Sequence, residues 1–133
     1  MMKVLLKTRT EELTPQLKKQ LVMRTILYCE NALGIKKGLK VSIRKQNTGV
    51  SVSAYGRYFA AKNLLCIYYN NCENVKDIIM TTIHEYTHHL QDLRTYQTWS
   101  MLLGYFNNPF EIEAHDNEKF HLSPCWKFIK QKI

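Results

Sequence analysis

The stretch His84-Glu85-Tyr86-Thr87-His88 constrains this chain more tightly than any other part of it. Residues four apart on an α-helix stand one turn apart on the same face. On a helix, His84 and His88 can therefore grip one ion between their imidazoles. The surroundings predict that helix. Ile79, Ile83, Tyr86, Leu90 and Leu93 fall on one apolar stripe. Asn74 suits the cap position, and Asp77 brings a negative charge to the first turn, where the helix dipole favours one. The helix is expected from Asn74 to about Arg94.

Zinc suits imidazole ligands and keeps a position open for water, so one zinc per chain is expected. Glu85 stands beside His84 and can take a proton from that water as it attacks a carbonyl. This is why the spacing carries hydrolytic chemistry. His89 points elsewhere and is expected at the surface or as an outer partner. Two histidines do not complete a site, because a catalytic zinc normally has a third protein ligand. Glu111, Glu113 and His115 downstream are the candidates.

A chain of 133 residues fits one domain, 1–133, with one core. Thr14-Pro15 signals a helix start and Gly34 a helix end, giving a first helix over about 12–33. Val41 and Ile43 alternate with polar residues, as do Val50, Val52 and Ala54, and Tyr58-Phe59 continue that second strand past Gly56. Leu64 to Tyr69 is a short apolar run closed by Asn70-Asn71. These strands suggest an antiparallel meander, with Lys3–Lys7 as a possible fourth strand in mixed pairing. Pro109 opens a third helix over about 109–120, and Trp126 and Ile129 keep helical spacing beyond it. Pro124 argues against a regular helix between those two parts.

Helix, small sheet, histidine helix and a following helix with a glutamate together resemble the gluzincin metallopeptidases, especially the single-domain minigluzincins. The resemblance implies an α+β, zincin-like fold with three to four mixed or antiparallel strands. In that family the third ligand stands in a Glu-x-x-Ala pattern, often with Asn shortly before it. Glu111-Ile112-Glu113-Ala114, with Asn108 upstream, fits. The resemblance thus selects Glu111, with Glu113 as runner-up. Many gluzincins follow the alanine with an aspartate bonded to a metal histidine. Here that place holds His115, with Asp116 next. His115, Asp116 and Glu113 are the candidate outer partners. Tyr105, upstream of Glu111, is the candidate for stabilising the oxyanion, ahead of Tyr55, Arg57 and Tyr96. The resemblance also implies a peptide or protein substrate laid along an edge strand near Gly49–Tyr58. The alternative is a silent zinc-binding module of the same fold that recognises a protein or nucleic-acid partner.

Composition limits other classes. No run approaches the roughly 18 apolar residues of a membrane span, so no membrane partner is expected. The first residues lack a secretory apolar region, which reads as cytoplasmic. In that compartment Cys29, Cys66, Cys72 and Cys125 are expected as free, buried thiols. The net charge of +8 allows steering toward acidic partners or nucleic acid. No aromatic-basic interleaving of a nucleic-acid module accompanies it, and a solvated basic surface is the simpler reading.

Overall fold

The computed structural model describes residues 3–45 and 54–131. Within them the chain is α+β, with four α-helices and a small mixed sheet of three strands. The order is α1 (Pro15–Leu33), β1 (Lys40–Arg44), β2 (Gly56–Phe59), β3 (Leu64–Tyr68), α2 (Val75–Leu90), α3 (Tyr96–Leu103) and α4 (Pro109–Lys130). Val50 and Val52 lie outside the described residues.

The helices start where local chemistry satisfies their free N–H groups. Thr14 accepts from the Leu17 amide at 3.1 Å, with Pro15 in the first helical position. That sets the start of α1 at Pro15, after a separate 3-10 turn at Thr10–Glu12. Asn74 accepts from the Asp77 amide at 3.0 Å, while the Asp77 carboxylate accepts from the Glu73 amide at 3.0 Å. The helix α2 ends at Leu90 rather than Arg94, and the chain turns through Leu93–Thr95 into α3.

The sheet corrects the expected meander. Its strand order is β1-β3-β2, with β1 parallel and β2 antiparallel to β3. Burial explains the order. Leu65, Cys66, Ile67 and Tyr68 of β3 are all buried, so β3 takes the centre. The strands β1 and β2 are only partly buried and take the edges. Gly56 permits the close approach of β2 to α2, since a Cβ there would stand 2.6 Å from Thr81 Cγ2.

Lys3–Lys7 is not a strand either. It bonds to the start of α2 instead, with Leu6 and Thr8 carbonyls accepting from the Lys76 and Val75 amides at 2.9 and 3.0 Å. Those are N–H groups that a helix start leaves without partners.

The helix α4 runs unbroken through Pro124. An internal proline costs roughly 3 kcal/mol by losing one hydrogen bond and crowding a carbonyl. Cys125, Trp126 and Ile129 on the inner face are buried in the core and offset that cost. The core joins α1, β3, α2 and the end of α4, so α2 is buried on nearly every side. The four cysteines are free and buried. No helix among the described residues is long and apolar enough to cross a membrane.

Candidate metal centre

His84, Glu85 and His88 sit on the middle and last turns of α2 and are all buried. Together they form a group that could hold a metal ion. Glu111 comes from the first turn of α4 and is buried against them. Its position follows from Asn108, which is fully buried. The Asn108 side chain accepts from the Phe110 amide at 3.0 Å and donates to the Tyr96 carbonyl and the Ser100 hydroxyl, at 3.2 and 2.9 Å. One residue thereby caps α4 and ties it to α3.

Three atoms converge. The Nε2 atoms of His84 and His88 are 3.2 Å apart, and Glu111 Oε1 lies 2.9 Å from the first and 3.2 Å from the second. The outer bonds fix the tautomers. His84 Nδ1 donates to Glu118 Oε2 at 2.9 Å. His88 Nδ1 donates to Gln91 Oε1 at 2.7 Å. The Gln91 amide is oriented by its own donation to Glu113 Oε1 and the Phe110 carbonyl, at 2.7 and 3.0 Å. With Nδ1 of both rings donating, both neutral rings present lone pairs at Nε2. Two lone pairs and a carboxylate oxygen then face one another, an arrangement that suits a cation between them, whether a metal ion or, without one, a proton shared between a ring and Glu111.

Charge says the same. Glu111 and Glu118 form ion pairs only with histidines among the described residues, and the buried Glu85 forms none there. Burial would lower the proton affinity of His84, but its bonds to Glu111 and Glu118 outweigh burial and push its pKa up to about 10. Burial acts the same way on His88, and its bond to Glu111 likewise turns the shift upward. Burial favours the neutral form of Glu111, yet His84, His88 and Tyr96 hold its carboxyl well below the usual range. The residues present thus could hold a metal ion.

Glu85 differs from the other two carboxylates. It makes no hydrogen bond to another described residue, and burial, opposed by the two histidines, raises its pKa. It lines a cleft of about 570 Å³ together with His84, His88, Tyr96, Tyr105 and Arg57.

The other expected residues fall into place unevenly. Tyr105 borders the cleft, its hydroxyl 3.1 Å from His115 Nε2. His115 Nδ1 donates to Glu118 Oε2 at 2.6 Å, so one carboxylate oxygen holds both His115 and His84. Glu113 reaches Gln91 and stays away from the three converging atoms. Asp116 is exposed and forms no hydrogen bond or ion pair with a described residue. His89 is fully buried rather than at the surface. It bridges the Lys36 carbonyl at 2.8 Å and the Tyr58 hydroxyl at 3.0 Å.

Three contributors escape sequence reasoning: Glu118, Gln91 and the strength of Tyr96. Glu118 stands seven residues after Glu111, two turns along the same face, and that spacing is its one signal. Gln91 lies three residues after His88 but beyond the last turn of α2. The Tyr96 hydroxyl donates to Glu111 Oε2, a contact no spacing announces.

No protein-family model matches the chain, and no curated protein or solved structure matches it.

Proposed function

We propose that this chain is a zinc-dependent peptidase with a zincin-like architecture of the gluzincin kind. The observation that carries the reading is a buried carboxylate, Glu85, that bonds to no described residue and stands beside three converging metal-type donors in a cleft. Tetrahedral ligands about 2.05 Å from a zinc ion stand roughly 3.3 Å apart. The edges of the His84–His88–Glu111 triangle, 2.9 to 3.2 Å, are close to that.

In this reading His84, His88 and Glu111 hold the ion, which supplies, when bound, a Lewis acid for water and carbonyl. Glu85 takes the proton of the attacking water and delivers it to the leaving amine. Burial favours its protonated form, which suits a group that must release its proton as well as accept it. Tyr105 donates to the developing oxyanion from the cleft wall. Tyr96 orients Glu111 through its hydroxyl. The substrate is an extended peptide laid along the edge of β2 away from β3, since Gly56, Arg57 and Tyr58 border the cleft.

Glu85→Gln is the decisive variant. It should keep the metal and abolish cleavage in a proteome-wide comparison of cut sites with the wild type. A wild type and variant that cut alike would refute the assignment of Glu85. Metal retained with no cleavage by either would favour the silent module.

A further inference from the structure

An exposed apolar surface lies beside the cleft. Six large apolar or aromatic side chains stand exposed between Trp99 and Phe106. Met101, Leu102 and Phe106 are 79%, 70% and 85% exposed. No residue of α3 is buried, and the helix packs chiefly on the preceding turn, Leu93–Thr95. From Thr95 to Phe110 there is no charged residue, in a chain whose net charge is +8. Soluble surfaces rarely gather this much apolar area without an occupant.

Three features choose among occupants. Side chains standing 70% and more in solvent protrude rather than form a groove. A rigid protein partner would need matching pockets, whereas a lipid interface yields to them. A second copy would bring a second chain of net charge +8 alongside the first, and like charges repel. The segment also carries Trp99 and Tyr105, and Tyr96 opens the helix that leads into it. Those are the side chains that settle at the boundary between lipid headgroups and acyl chains. Cationic groups border it. Arg57, without a carboxylate partner among the described residues, and Arg94, paired with Asp92, line the adjoining cleft.

We propose that Trp99–Phe106 is an interfacial anchor that docks the molecule on an anionic lipid surface. The helix α3 is far too short to cross a bilayer and lies on it. The apolar side chains enter the headgroup boundary, and the basic body supplies the second, electrostatic attraction that stable adsorption needs. This docking needs no ion at the metal centre, and Tyr105 belongs both to the anchor and to the cleft wall.

The test mixes the zinc-loaded full chain with vesicles of phosphatidylcholine alone, and of phosphatidylcholine with phosphatidylserine. Co-sedimentation should occur with the anionic vesicles and weaken with salt. Tryptophan emission should shift to the blue on binding, and the shift should vanish in Trp99→Phe. The double variant Leu102→Ser/Phe106→Ser changes only exposed positions and should keep fold and metal. Its adsorption should be about tenfold weaker or more, from the apolar area removed. No adsorption to anionic vesicles at low salt would overturn the proposal. Equal adsorption by the double variant would overturn it as well, leaving only nonspecific attraction. A concentration-dependent dimer that the double variant disperses would assign the surface to a second copy instead.

Discussion

Glu118 joins two imidazoles through a single oxygen, and that makes it the hinge of the site at the scale of one residue. It fixes the tautomer of His84 and also seats His115, which in turn holds the Tyr105 hydroxyl. Outer partners of this kind change metal affinity by about 10–100-fold when removed. Glu118→Ala should therefore weaken zinc binding by about that factor in competition with a chromophoric chelator, and Asp116→Ala should leave it unchanged. Equal affinity in both would contradict the role of Glu118. The pH response follows from His84. In the metal-free protein its folded pKa is raised to about 10, above the unfolded value of about 6.5. That contribution to stability is full below about 6.5 and is lost as pH rises through the folded value. The thermal midpoint of the metal-free protein should fall across this window. Zinc should add stability most strongly at the upper end, because binding no longer competes with a proton. A zinc-induced shift that shrinks with rising pH would count against this linkage. The histidine pair was legible in five residues, because helical spacing alone brings His84 to His88. Glu111 needed a resemblance. Glu118 was hidden because its role depends on how α4 lies against α2, which no local pattern encodes.

At the scale of elements, the site depends on how α4 begins. Asn108 satisfies helix N–H groups and α3 acceptors at once, three residues before Glu111. Asn108→Ala removes a cap and leaves buried partners unpaired, at a cost of about 1–3 kcal/mol. Denaturant unfolding should show that loss, with weaker zinc binding because Glu111 is displaced. A second prediction concerns β2. Gly56→Ala would force a Cβ against Thr81 Cγ2 and the Cys66 carbonyl, 2.6 and 2.9 Å away. Overpacking of this kind typically costs about 1–3 kcal/mol. Wild-type stability in Gly56→Ala would mean that β2 lies farther from α2. The caps at Thr14 and Asn74 were readable in sequence, since they act through neighbours three residues away, whereas the role of Asn108 depends on α3. Strand order was not, because it is decided by which strand is buried on both faces. Pro124 misled for a related reason: core burial of Trp126 and Ile129 overrides the local helix-breaking tendency.

For the whole molecule, one core holds both the apolar stripe of α2 and the opposite, polar face that carries the site. Its thiols report on that core. Burial pushes the Cys72 and Cys125 thiols up to about 12, from an ordinary value near 9. All four thiols should resist an aromatic disulfide reagent at mildly alkaline pH and react together on unfolding. Rapid titration of one in the native protein would show an opening that the packing does not contain. The proposed reaction also rests on the whole arrangement, since α2 and α4 must pack correctly for any ion to bind. The most direct measurement is the metal content of the purified protein and its ligand variants by elemental analysis. The expected result is one zinc per chain in the wild type and in Glu85→Gln, and strong depletion in His84→Ala, His88→Ala and Glu111→Ala. Full zinc retention in His84→Ala would contradict the account.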